Sequence, residues 1–342
     1  GFNLAIVGNG GHGMSIRAWA WCIWSGVAWA ACVSEAAAQA PAPGYPAKTV
    51  RIVVAFAPGG GTDVIARYFA QKLGESLGQS FIVDNRPGAG SNIGTEQVAK
   101  SAPDGYTLLM AIASLTINVS LYSKVPYDPV RDFTAIGTVA ITPNGIAVHP
   151  SFPAKSMREL IALAKARPGE ISYASPGSGT PVHLSMELFR SMAGIQLLHV
   201  PYNGSGPGTV AVLGGQVPVL GTTLPIALPH ARAGKLRLLA VTSAERTQLA
   251  PDFPTVAEAS KLPGYEASVW YGLLAPAGTP AAVVNKLSAE IERLLQQREV
   301  LERMAMLGFD PYRRTPAAFA ELIKSDLIKW GKVVHESGAR AD

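Results

Sequence analysis

A chain of 342 residues is longer than one small core requires, so two lobes are expected. Hydrophobic residues at 48%, charged ones at only 15%, and 35 Gly with 26 Pro exclude extensive disorder and suit a compact, turn-rich protein. The net charge of +5 comes from Lys and Arg scattered along the chain, which argues against nucleic acid as a partner and leaves only a weak pull on anions.

Residues 1–13 carry a glycine fingerprint. Gly8, Gly10 and Gly13 have the G-x-G-x-x-G spacing after a short apolar run, with Glu35 near where a ribose-binding acid would stand. A lone fingerprint is a weak signal and an export-type segment follows it, so the expectation is a stretch upstream of a true start at Met14 rather than a dinucleotide site. Over residues 14–38, Arg17 heads a Trp- and Ala-rich apolar core that closes on small residues, the layout of a secretory signal peptide cleaved after Ala38. The apolar core is short for a membrane span. Trp29-Ala30-Ala31-Cys32 outlines a lipoprotein processing site, but Trp29 fits its first position poorly, so a lipid anchor at Cys32 is the lesser reading. Cys22 and Cys32 both fall in this segment, so the mature chain has no disulfide framework, cysteine metal site or cysteine nucleophile. Residues 39–47 read as a linker.

From Lys48 onward the patterning alternates strand and helix. Val50 to Phe56 is an almost wholly apolar, β-branched run, the mark of a strand buried on both faces of a parallel sheet. Pro58 stops it, Gly59, Gly60 and Gly61 make a turn, and Thr62 or Asp63 can cap a helix with Val64, Ile65, Tyr68, Phe69 and Leu73 on one side. Such a turn exposes backbone N–H groups at a helix N-terminus, which favours an anion; a tight turn with no ligand is the alternative. Phe81 to Asp84 reads as a second strand, Asn85 to Gly94 as a second glycine-rich turn opening a helix, and Thr107 to Ala113 as a third strand followed by Ser114 and Asn118. Ala135 to Ala140 and Gly145 to Val148 read as two strands parted by Thr142-Pro143-Asn144. Ser156 and Glu159 have capping-box spacing before a helix to Ala166. Ile171 to Ala174 is a strand, Ser175 to Thr180 a loop, and Pro181 to Ala193 a helix with Pro at its first position. Leu197 to Val200, Gln216 to Leu220, Leu236 to Val241 and Trp270 to Ala275 are further strands, with helices near Thr209 to Leu213, Leu224 to Ala233, Pro280 to Gln297 and Pro316 to Glu336. The spacing implies parallel pairing, with ligand loops at the strands' C-terminal ends.

The residue chemistry favours binding over catalysis. There is no Ser-x-x-Lys, no HExxH and no Walker A sequence, and His183, His199 and His230 lie far apart along the chain, so a hydrolase, a zinc site and a nucleotide-phosphate site lack support. His183 either reaches the cleft or serves the adjacent loop, and His199 reads as a satisfied core or loop residue. What remains is an inventory of neutral donors: Gly59, Gly60, Gly61, Thr62, Ser114, Asn118, Ser175, Ser178, Gly179, Thr180 and Tyr202. Facing one another across a cleft at two helix N-termini, they can hold a carboxylate, although each Ser or Thr taken alone fits ordinary capping or turn chemistry. Trp270 reads either as a cleft residue or as a core or hinge anchor.

The ordered series of segments YPAKTVRIVVAFAPGGGTDVIAR, DNRPGAGSNIGTEQVAKSAPDGYTLL, YASPGSGTPVHLSMELF, HVPYNGSGP and PGYEASVWYGLLAPAGTP resembles the Bug family, the extracytoplasmic solute-binding proteins of tripartite tricarboxylate transporters, from Tyr45 to the C-terminus. The resemblance implies an α/β fold of the type II periplasmic-binding class: two α/β lobes, a ligand cleft between them, and two crossover strands. Lobe one would comprise residues 48–142 and 270–342 and lobe two residues 143–269. It further implies a non-enzymatic periplasmic protein without cofactor or metal that captures a small mono- or dicarboxylate, aromatic ones included, and presents it to a membrane permease. An exported sensor is the alternative, with an NAD-dependent oxidoreductase or hydrolase behind it. Ligand contacts would come from Phe56, Pro58 to Thr62, Ser114, Asn118, Ser175 to Thr180, His183, Tyr202, Thr222 and Trp270. After LGGQVPVL, where similar proteins run into an acidic residue, this chain has Gly221-Thr222-Thr223. With no acid there to pair with an ammonium group, amino acids are expected to be poor ligands.

Overall fold

The apolar run at Val50–Val54 forms β1, with Ile52, Val53 and Val54 fully buried. The structure, a computed structural model, describes residues 1–3, 5, 10 and 44–341. Cys22, Cys32, the export segment and all of the glycine fingerprint except Gly10 lie outside those residues. Residues 44–341 belong to one unit of the chain, described from here on; residues 1–3, 5 and 10 belong to another and carry no regular secondary structure.

β1 lies between β2 (Phe81–Asn85) and β3 (Thr107–Ala111), parallel to both. The crossover from β1 to β2 is α1 (Gly61–Leu77), whose Ile65, Phe69 and Leu73 are fully buried against the sheet, each such side chain contributing about 1.5–3 kcal/mol. α2 (Asn92–Ala99) leads to β3, and α3 (Ser114–Leu121) leads from it to the long β4 (Phe133–Val148). A second series follows: α4 (Met157–Ala166), β5 (Ser172–Ser175), α5 (Pro181–Ala193), β6 (Leu198–Pro201), α6 (Ser205–Leu213), β7 (Val219–Thr223), α7 (Leu224–Arg232), β8 (Arg237–Val241) and α8 (Val256–Ser260). The chain returns through β9 (Ser268–Pro276) to α9 (Ala281–Leu294), α10 (Arg298–Met306), the short β10 (Asp310–Pro311) and α11 (Pro316–Ser337).

Among the described residues these strands make one α/β sheet in the order β2-β1-β3-β9-β4-β7-β5-β6, with β8 and β10 added on β4. Parallel pairing holds at each end, in β2-β1-β3 and in β7-β5-β6, but β9 and β4 are antiparallel to their neighbours. The expectation of parallel pairing throughout is therefore corrected at the centre of the sheet.

The two strand readings at residues 135–148 are also corrected, because β4 is continuous through Pro143. Pro143 faces Ser268 at the last register of the β4–β9 ladder, and from Asn144 onward β4 pairs with β7 and β8 instead. A residue without an N–H is tolerated at that handover between partners. Two further elements depart from their sequence reading. The segment at 216–220 becomes strand only from Val219, and the helix expected over Pro280 to Gln297 stops at Leu294, with a separate helix following.

Candidate functional site

Four helices begin around one hollow. α1 starts at Gly61 with Gly60 as its cap residue, α5 at Pro181 after Thr180, α6 at Ser205 after Gly204, and α7 at Leu224 after Thr223. Gly60, Gly61, Thr62, Thr180, Pro181, Gly204, Ser205 and Thr223 all line a narrow inner chamber of about 40 Å³, closed by Ile112, Val269 and Tyr271. The chamber opens into an outer cavity of about 560 Å³ between Ala55, Phe56, Ala57, Pro87 to Ser91 and Tyr122 on one side and Pro176, Gly177, Ser178, Thr180 and Pro201 to Gly204 on the other. No side chain lining either space, among the described residues, is acidic or basic.

The helix starts differ in how their first amides are used. Thr180 caps α5 in the usual way, its Oγ1 accepting the His183 N–H at 3.2 Å. Thr223 occupies the same position before α7 yet makes no cap bond, and its Oγ1 is buried with no partner. α1 and α6 have glycine caps with no side chain to satisfy the first-turn N–H groups. The expected cap of α1 by Thr62 or Asp63 is thus corrected: Gly60 is the cap residue, and the carboxylate of Asp63 turns back to the loop. It accepts Gly59 N–H at 2.9 Å, Asn85 Nδ2 at 2.9 Å and Arg67 Nε at 3.0 Å. Burial pushes the Asp63 carboxyl up, but the bonds from Arg67, Gly59 and Asn85 outweigh it and hold it below its ordinary value.

Tyr271 closes the chamber on the far side, its ring edge-on to Phe309 at 5.3 Å between centroids. Burial drives its phenol far above the ordinary range, so it is a neutral hydroxyl. A side-chain carbon on Gly61 would stand 3.0 Å from Tyr271 Oη and 3.3 Å from Thr223 Oγ1, so the absence of one is what brings the α1 backbone close to both hydroxyls. The arrangement combines helix N-termini, the unpaired Thr223 hydroxyl and an uncharged wall, which chemically is a receptor for a small anion.

Of the residues expected from sequence, Phe56, Gly60, Gly61, Thr62, Ser178, Thr180 and Tyr202 line the two spaces. The others stand elsewhere. Pro58 and Gly59 are exposed in the turn, and Gly59 spends its N–H on Asp63. Ser114 faces a minor pocket of about 10 Å³ behind Phe56, its Oγ unpartnered. Asn118 braces the glycine loops from below, donating from Nδ2 to Gly90 O at 2.8 Å and Asn92 Oδ1 at 2.8 Å. Ser175, Gly179 and His183 bond one another's loop beneath the surface: Ser175 Oγ lies 2.6 Å from His199 Nε2, and Gly179 N–H donates to His183 Nδ1 at 3.3 Å. Thr222 is fully buried away from the cavity, and Trp270 donates from Nε1 to Asp326 Oδ2 at 2.7 Å. In both cases the next residue, Thr223 or Tyr271, lines the chamber. Sequence reasoning also missed Ala57, Ile112, Tyr122, Gly204 and Ser205.

A second hollow of about 580 Å³ lies on the outer side of α1, by Tyr68, Lys72, Glu299 and Arg303. It is less suited to a solute, because Lys72 is already paired with Glu75 and Glu299 and Arg67 with Asp63.

Residues 65–339 match the family described as the tripartite tricarboxylate transporter family receptor. Protein BugT of Bordetella pertussis is 40% identical over 306 residues, 89% of this chain and 94% of its own. Among solved structures, an R. palustris protein with adipate is 36% identical with a TM-score of 0.83, covering 86% of this chain and 99% of its own. The periplasmic binding protein BugD is 35% identical with a TM-score of 0.81, again covering 86% of this chain and 99% of its own.

Proposed function

The chain belongs to the tripartite tricarboxylate transporter receptor family, and on that premise we propose that it is a non-enzymatic periplasmic receptor that captures a small dicarboxylate in this cleft and delivers it to a membrane permease. The observation that carries the reading is the convergence of four helix N-termini and the unpartnered Thr223 hydroxyl on one uncharged chamber. One carboxylate fits there, bound by neutral, preorganised donors, and the rest of the solute extends into the outer cavity past Phe56, Pro176 and Tyr202. The adipate held by the R. palustris relative is an acid of this kind. With no carboxylate on the described walls to meet an ammonium group, aspartate and glutamate are poor ligands.

The lobes of this reading are residues 48–142 with 270–342, and 143–269. Support comes from β4 and β9, the two strands that run between the parallel ends of the sheet; in this reading the cleft lies between ends that close over a solute touching both. Export by the segment 14–38 puts the receptor in the periplasm.

A thermal-shift panel of carboxylates, amino acids, sugars and NAD tests the reading. A solute at about 100 times its dissociation constant adds roughly 2.7 kcal/mol of stability. Adipate or another dicarboxylate raising the melting temperature while aspartate leaves it unchanged is the expected result. A shift from sugars or NAD alone, or a tight complex with aspartate, would overturn it.

A further inference from the structure

Beneath the Ser175–Thr180 loop lies a buried cluster of titratable side chains, none of which lines the cleft. His183 in the first turn of α5 and His199 on β6 stack ring on ring, 4.1 Å apart at 12°, and Tyr173 on β5 stacks on His199 at 4.9 Å. His183 is only 3% exposed and Tyr173 is fully buried. Glu187, one turn along α5, accepts the Tyr173 hydroxyl at 2.7 Å and Arg190 Nη1 at 2.6 Å on each oxygen.

A backbone donor sets the tautomer of His183, and the contact lengths around Ser175 favour one tautomer of His199. Gly179 N–H donates to His183 Nδ1 at 3.3 Å, so in the neutral ring the proton is on Nε2, which faces Glu187 Oε1 at 3.7 Å. Ser175 Oγ accepts Gly177 N–H at 3.1 Å, and its own proton has two acceptors in reach, His199 Nε2 at 2.6 Å and Gly177 O at 3.4 Å. The shorter contact is the better hydrogen bond, and with the hydroxyl proton placed there His199 carries its hydrogen on Nδ1. Burial, aided by the positive charge of Arg190, pushes His183 down to about 4; burial and the neighbouring His183 push His199 down to about 3. Each ring thus offers a lone pair to the loop. His183 holds its C-terminal end at Gly179, and His199 holds its N-terminal end at Ser175.

We infer that His183 and His199 are positioning residues for ligand capture, two neutral acceptors that clamp both ends of the Ser175–Thr180 loop and hold Ser178 and Thr180 in the geometry that receives the solute. The inference rests on the reading of the cleft as the ligand site. The loop needs a clamp because Gly177 and Gly179 sit at φ +136° and +76°, conformations that a glycine chain leaves as readily as it enters. Ordering such a loop only on binding would weaken affinity; ordering it beforehand removes that cost. An aliphatic side chain in place of His183 would fill similar space but leave the Gly179 amide without its acceptor.

The test compares His183→Leu, which removes the acceptor, with His183→Asn, whose Oδ1 replaces Nδ1. Ring nitrogen shifts from NMR of the wild-type chain at pH 7 are expected to show two neutral histidines, His183 protonated on Nε2 and His199 on Nδ1. In His183→Leu, amide exchange at Gly179 is expected to accelerate and adipate affinity by calorimetry to fall, each about tenfold. His183→Asn is expected to restore both to within about threefold. Opposite tautomers, a charged ring at pH 7, or equal behaviour of the two variants would overturn the clamp. If the wild type ignores every carboxylate while the tautomers and the Gly179 exchange behave as expected, the clamp stands and the carboxylate reading of the cleft falls.

Discussion

Thr223 stands at a helix cap, where a threonine hydroxyl normally takes a first-turn N–H, and instead leaves its Oγ1 buried and unbonded at the chamber wall. A buried hydroxyl without a partner costs stability in the empty protein, and a ligand oxygen placed there recovers it. Thr223→Val is therefore expected to leave the melting temperature of the empty protein equal or higher while weakening adipate by roughly fivefold, about 1 kcal/mol. Thr222→Val is the control: its Oγ1 is equally unpartnered but lies off the cavity, so stability should rise with affinity unchanged. Calorimetric titration of both variants decides the matter, and equal losses of affinity would show that Thr223 is not a contact. The same pair marks what the sequence hid. Gly221-Thr222-Thr223 and Trp270-Tyr271 were legible as cleft segments, but consecutive strand residues point to opposite faces, and either parity suited the apolar pattern. Which face met the cleft depended on β4 pairing with both strands, a long-range register that no local pattern carries.

At the scale of elements, glycine allows backbone to approach backbone across the cleft. A carbon on Gly90 would come within 3.0 Å of Ser178 O, so the loop after β2 meets the loop after β5 there because Gly90 lacks a side chain, and one on Gly179 would overlap Asn118 Oδ1 of α3. Gly61 plays this part for the solute. Alanine is the better helix former, by up to roughly 1 kcal/mol, but its methyl group would crowd Tyr271 Oη and Thr223 Oγ1, so the two effects offset and Gly61→Ala should leave the melting temperature close to that of the wild type. Its methyl group would nevertheless stand between Tyr271 Oη and Thr223 Oγ1, where the ligand carboxylate belongs, and adipate affinity is expected to fall by roughly tenfold. A variant that binds as tightly as wild type would move the carboxylate out of the inner chamber. The glycine-rich turns after β1 and β5 were plain from sequence because a strand, a turn and an amphipathic helix follow in order. The start of α6 at Ser205 was not, since Gly206, Pro207 and Gly208 lie in its first turn and read as loop.

At the scale of the whole molecule, the two ends of the sheet are joined where β4 changes partners. Asn144 N–H donates to Thr242 Oγ1 at 2.7 Å, Asn144 Nδ2 to Ala267 O at 3.0 Å, and Thr142 Oγ1 to Gly308 O at 2.9 Å, so the handover is tied to the segments leading into β9 and β10. α11 packs on β4, on α3 and on α5, and so reaches the helix that carries His183. Acid should therefore loosen the fold through the clamp. The unfolded chain titrates His183 near 6.5 and the folded one near 4, so between those values the unfolded state binds more protons and stability falls as pH falls, with the full contribution present above 6.5. The displacement is worth on the order of 3 kcal/mol. Asp63 adds to the loss at lower pH, because its carboxyl is held below the ordinary value and its stabilisation disappears as it protonates. Asp310 and Asp326, both raised by burial, act in the opposite direction and lose their contribution as pH rises through their folded values. These opposed slopes make the wild-type curve alone ambiguous, and the difference between variants resolves it. The unfolding free energy of the wild type should drop more steeply between pH 6.5 and 4 than that of His183→Asn, which has no ring to titrate, while the two curves run parallel from pH 7 to 9. Parallel curves over the acid range as well would mean that His183 titrates alike in both states and that the buried ring pair is not what makes the folded protein sensitive to acid.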